Sequence, residues 1–230
     1  MNAPDPPRPE RSWLLILLAT VVLTVFYYVT RADVIGVSSA ARDWTPMTVR
    51  PVGAWLHFLA AGALLGAVPV AGALGLGFSP RQLGLGLGDA RRGLILVAVG
   101  LPLAVLAGWI GAAAPATRSV YPLDTAAAGT TFPAYATLQF FYFGAWEVLF
   151  RGVLLFGLRS RFGDSGALAV QTALSVTAHF GRSLSETAAA VPAGLIFGLL
   201  DLRLGSVWYV AVLHWVAGVS QDWFIVHGGW

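Results

Sequence analysis

Glu147 and Arg151 stand four residues apart inside one apolar run, Phe132–Leu158. On a helix that spacing brings both side chains to one face, with the acid N-terminal to the base, the better orientation for a pair. The run is longer than the ~20 apolar residues needed to cross a bilayer. Either charge alone would cost about 2.5–3.5 kcal/mol at mid-membrane. Charges kept at that depth face a bundle interior or a wet cavity, where they either bind helices together or mark function.

Two histidines extend the set. His179 closes a second apolar run, Ala167–Phe180, and His214 lies within a third, Ser206–Val226, at a depth of about 13 Å for a rise of 1.5 Å per residue. Glu147 precedes Leu158 by 11 residues, a depth of about 16 Å. The two can therefore meet if both helix ends lie on the same membrane side. A buried carboxylate with two imidazoles and a guanidinium can activate a water: the carboxylate takes the proton and the imidazoles polarise the substrate. Glu147, His179 and His214 can alternatively ligate a divalent metal such as zinc. His179, taken alone, fits an interfacial helix-end residue equally well. Glu186 fits a capping box, Ser183-x-x-Glu186, or a second carboxylate folded back over the cavity. Asp222 lies on the His214 face, but two turns further along.

The rest of the chain must position these groups. Its 230 residues are 57% hydrophobic and only 11% charged, against about 25% charged in soluble domains. This predicts an all-α, polytopic transmembrane helix bundle of about seven spans. All 14 basic residues are Arg and scattered, so no basic stripe points to nucleic acid. Without Lys there is no Schiff base, and without Cys there is no disulfide, thiol catalysis or Cys-ligated zinc. Residues 1–12 read as a disordered tail, and 13–112 as three spans: Trp13–Thr30, Val52–Phe78 and Gly93–Ala112. His57, beside Trp55 near the start of the second span, reads as a headgroup-level residue. Ser79–Arg92 reads as a flexible surface linker, because Gly84-x-Gly86-x-Gly88 lacks the strand before it and the Lys-Ser/Thr after it that a phosphate loop needs. Residues 130–226 form the chemistry-bearing bundle. Its spans are Phe132–Leu158, Ala167–Phe180 after a Gly163 turn, Ala188–Leu204 and Ser206–Val226. Counting Arg outside the spans gives a cytoplasmic N-terminus, with Arg8, Arg11, Arg81, Arg91, Arg92, Arg159, Arg161 and Arg203 inside.

At these residues the chain resembles the CAAX protease and bacteriocin-processing family (Abi, or CPBP) of intramembrane proteases. That family carries Glu-Glu-x-x-x-Arg, Phe-x-x-x-His and His-x-x-x-Asn, each on its own helix. Trp146-Glu147-x-x-x-Arg151 matches the first motif, His179 the His of the second and His214 that of the third, over roughly residues 140–222. Trp146 replaces the first Glu, Ser175 the Phe and Gly218 the Asn. Glu186 and Asp222 become candidates for the lost carboxylate and amide roles. The resemblance implies an intramembrane endopeptidase in a bacterial inner membrane, acting on a membrane-associated peptide or protein, with Glu147 as base or metal ligand. In that reading His179 and His214 are oxyanion stabilisers or ligands, and Arg151 orients Glu147. The rival reading is an inactive family member serving as a membrane scaffold or immunity-type protein, which Trp146 and Gly218 would suit. A proton-coupled transporter would call for an internal repeat, and the sequence shows none.

Overall fold

The computed structural model describes residues 11–30 and 51–229, and every regular element among them is helical. Residues 1–10 of the expected tail and residues 31–50 of the first connection lie outside the described residues. Helix α1 is Ser12–Val29. Helix α2 runs from Pro51–Ala61 through a π-turned Gly62–Ala67 into Val68–Gly75. Helix α3 is Ala90–Ala113. Two short helices, Pro115–Arg118 and Thr125–Thr130, lead to α4. That helix is Phe132–Glu147, prolonged by a π-turned Val148–Phe156. The remaining elements are α5 (Gly157–Thr177), α6 (Leu184–Leu204) and α7 (Trp208–His227).

Among the described residues, five helices are long and apolar enough to cross a membrane, and the protein is an integral membrane protein. The longest, Phe132–Thr177, has 46 residues; straight, it would reach about 70 Å, more than twice the hydrocarbon thickness. Gly163 breaks it at φ 65° and ψ 176°, and the returning limb packs against the π-turned part of α4. The fourth and fifth expected spans are the two limbs of this element. Helix α7, Trp208–His227, lies within two residues of the expected seventh span, but His214, Ser220, Gln221 and Asp222 load it with polar groups, and it is not among the five.

The central element is α4–α5, whose best apolar window is 83% buried, against 17% for α3. Leu149, Phe150, Val153 and Leu154 of α4 form the core with Leu15 and Ala19 of α1 and Leu65 of α2. Helix α3 instead turns Ile95, Val99, Leu103 and Ile110 outward, toward lipid. It packs along α7, where Gly108 brings the two backbones together: a Cβ there would come within 2.6 Å of the Ala217 carbonyl.

Residues 79–89 are not the loose surface linker the glycines suggested. Leu83 is fully buried, Trp208 Nε1 donates to the Leu85 carbonyl at 2.9 Å and Tyr209 Oη to that of Leu87 at 2.8 Å. The Asp89 amide donates to Leu204 O at 2.8 Å. Gly88, at φ 53°, permits this close approach, since a Cβ would lie 2.0 Å from that same carbonyl. The segment is a strap clamped across α6 and α7. Together with Arg11 Nη1 donating to Leu76 O (3.1 Å) and Ser12 Oγ meeting Ser160 Oγ (3.4 Å), it brings Arg11, Arg91, Arg92, Arg159 and Arg203 to one end of the bundle.

Gly218 also has a packing reason. A Cβ there would fall 2.2 Å from Cζ of Phe143, the ring that packs against His214 at 4.7 Å. Gly218→Asn, which restores the family residue, is therefore expected to overpack the α4–α7 contact by about 1–3 kcal/mol. Thermal melting checks this: the variant should melt lower, and adding Phe143→Leu should recover part of the loss. An unchanged melting temperature in the single variant would show that the ring yields freely.

Candidate active site

The π-turned part of α4 begins at Val148, immediately after Glu147, and contains Arg151. Such widened turns recur at functional sites. Glu147 is 0% exposed and Arg151 2%. Glu147 Oε1 accepts from Arg151 Nη1 at 3.3 Å, and Arg151 Nε lies 3.2 Å from Oε2, so the guanidinium faces both carboxylate oxygens. The same Oε1 accepts from His214 Nδ1 at 2.6 Å. The depth match anticipated for α4 and α7 is thus a direct bond. With Nδ1 donating to the carboxylate, the neutral ring presents Nε2 as an acceptor. Phe143 and Phe197 pack against the ring, at 4.7 and 5.8 Å between centroids.

His214 and His179 both line a cavity of about 520 Å³. None of Glu147, His179 and His214 faces lipid, but they do not share the cavity equally: Glu147 is sealed behind His214 and is not part of its wall. His179 lies in the turn after α5, with its ring on the cavity. Its Nδ1 donates to the Ser175 carbonyl at 2.7 Å, which also leaves Nε2 as an acceptor. Trp146, in the place of the family's first Glu, meets the His179 ring edge-on at 5.1 Å.

The zinc alternative finds no support in the donor set. Among the described residues, no three His, Asp or Glu side chains gather closely enough to hold a metal. Glu147 Oε1 is already engaged by both His214 and Arg151.

Glu186 caps with its backbone and turns its side chain elsewhere. Its backbone amide donates to Ser183 Oγ at 3.2 Å, capping α6. Its carboxylate, rather than turning back on Ser183, lines the cavity, accepting from Tyr121 Oη at 2.9 Å with Arg182 Nε 3.8 Å away. Arg182 also donates to Tyr121 Oη. Burial pushes the Tyr121 phenol well above its usual range, so it stays protonated and donates. Ser183→Ala should cost about 0.5–2 kcal/mol of stability and spare cleavage. Glu186→Gln keeps the cap but releases Arg182, so it should melt nearly as the parent and lose most cleavage. Full cleavage by Glu186→Gln would confine the carboxylate to a structural role.

Asp222 does not join this group. It is 1% exposed and its Oδ2 accepts from Gln139 Nε2 at 2.6 Å and Tyr135 Oη at 3.0 Å. Two turns along α7 take it to a separate part of α4, where it ties the two helices together. Three further residues were not singled out by sequence reasoning, or were misread. His57 is 2% exposed and lines the cavity, not the headgroup layer. Tyr121, from a loop with no motif, completes the polar wall. Asp201 of α6 is fully buried, its carboxylate making no hydrogen bond among the described residues, within electrostatic reach of Glu147 and Arg151. Its signal was available: a lone acid in the apolar run Gly194–Leu204.

An all-helical membrane bundle thus buries a Glu–Arg pair on one helix and bonds it to a histidine of another helix on the cavity wall. Residues 129–220 match the family model described as type II CAAX prenyl endopeptidase Rce1-like. The match covers α4 to most of α7, the part of the chain whose motifs resemble the CAAX protease family. No curated protein and no solved structure matches the chain.

Proposed function

We propose that the protein is an intramembrane endopeptidase that hydrolyses a peptide bond of an apolar, membrane-associated substrate held in the cavity of α1, α2, α4, α5 and α7. The observation that carries this reading is the 2.6 Å bond from His214 Nδ1 to a Glu147 carboxylate pinned by Arg151. The roles it supports differ from the sequence expectation. Glu147, with no face on the cavity, orients His214 and stabilises its protonated form, and His214 Nε2 is the base. A water whose two hydrogens are accepted by Nε2 of His214 and Nε2 of His179 turns its free lone pair to the scissile carbonyl. His214 takes one proton as the oxygen attacks, and returns it to the leaving amine as the C–N bond breaks. Arg182, the cation of the cavity wall, offers positive charge to the oxyanion. With the N-terminus cytoplasmic, the arginine-rich end lies inside and the Tyr121–Arg182–Glu186 rim faces the opposite side.

The second reading, an inactive scaffold, draws on two observations: Trp146 fills the place of the family's first carboxylate, and Glu147 is closed to the cavity. A cleavage assay separates the two. Purified protein in liposomes is offered quenched-fluorescent peptides of Ala, Leu and Phe, and products are read by mass spectrometry. The peptidase reading expects discrete internal cuts. Folded protein that cuts none of the set supports the scaffold.

A further inference from the structure

The cavity extends beyond the family segment to α1 and α2, where Phe26, His57 and Phe58 join Tyr142 of α4 in its wall. The His57 ring lies 5.0 Å from that of Phe26, 5.3 Å from Tyr142 and 6.1 Å from Phe58. The residue is 2% exposed, yet neither Nδ1 nor Nε2 has a hydrogen-bond partner among the described residues. An imidazole left in this state destabilises the fold, and a phenylalanine would fill the same aromatic niche without that penalty. A stability sacrifice of this kind is characteristic of binding sites.

The chemistry of the niche narrows what it takes. A neutral imidazole offers one donor and one acceptor, on different edges of the ring. Those two functions complement the carbonyl and amide of a peptide backbone. The surrounding rings accept an apolar side chain, and Arg182, within electrostatic reach of His57, disfavours a cationic one. We infer that the α1–α2 end of the cavity is a substrate subsite, in which the His57 ring, its nitrogens closed within the niche in the free protein, turns to hydrogen-bond the backbone of an extended, uncharged peptide segment flanking the bond to be cut. This rests on the peptidase reading above. His57 is a positioning residue here: it binds the peptide and takes no part in moving the proton.

The test uses full-length His57→Phe and His57→Gln with one probe, a quenched-fluorescent decapeptide of Ala, Leu and Phe. His57→Phe is expected to melt a few degrees higher than the parent. It should also raise KM for the decapeptide about tenfold, the scale of one lost buried hydrogen bond, with kcat within twofold. His57→Gln, which keeps a donor and an acceptor, should recover part of the KM. A lower melting temperature for His57→Phe would make the imidazole structural, and an unchanged KM would remove it from the subsite; either overturns the inference. A parallel arm measures decapeptide binding in Glu147→Gln by quenching of tryptophan fluorescence, with and without His57→Phe. If no variant cleaves, the peptidase reading fails by itself. Binding weakened about tenfold by His57→Phe would then still uphold the subsite, and unweakened or absent binding would overturn it.

Discussion

Arg151→Ala is expected to lose most of its folded yield. Glu147 and Arg151 are 0% and 2% exposed, and the guanidinium is within 3.3 Å of both carboxylate oxygens. Removing it leaves a carboxylate inside the bundle, with only the His214 N–H to answer its charge. Breaking a buried pair from one side costs about 3–5 kcal/mol, a large part of the 5–15 kcal/mol that typically separates folded from unfolded protein. The packing of Arg151 over Phe197, 5.8 Å from the ring centroid, is lost as well. Arg151→Lys keeps the charge but cannot present a planar fork to both oxygens, so it should recover part of the yield. Size-exclusion profiles in mild detergent and helical melting curves check this. A monodisperse Arg151→Ala with the parent's melting temperature would mean that Arg151 does not hold Glu147 in place.

The sequence disclosed the Glu147–Arg151 pair because two charges four apart in an apolar run have few other places to go. It also disclosed the His214 contact, since depth along a helix follows from residue counting once two helix ends are on the same side. The all-helical fold followed from apolar runs alone, and the Gly163 turn from its neighbourhood of Gly, Asp and Ser. What it did not disclose depends on contacts between distant segments. His57 sits beside Trp55 near a helix start, which reads as interfacial until α1 and α4 close over it. Residues 79–89 read as a loose linker because the carbonyls that Trp208 and Tyr209 grip carry no signature in sequence. The proposed division of labour between Glu147 and His214 depends on which of them faces the cavity, which no spacing in the sequence reveals. Gly218 looked like a lost Asn; it is the space that Phe143 occupies.

The central claim is that a Glu147–His214 pair performs hydrolysis from the wall of the cavity, and Glu147→Gln tests it with almost no change of shape. A glutamine can still accept the His214 Nδ1–H through its carbonyl, so the ring is held, but the negative charge that stabilises a protonated imidazole is gone. Loss of the general base's support should remove about 10²–10⁴-fold of the rate, a complete loss in practice. Because the amide is neutral, it also strands the buried Arg151 charge, so a reduced yield and melting temperature are expected and the rate is taken on the folded fraction. The decisive measurement is the rate of peptide cleavage in liposomes by Glu147→Gln against the parent, at matched folded concentration. The account predicts a folded variant that binds the decapeptide and does not cut it. Cleavage at the parental rate by folded Glu147→Gln would contradict it.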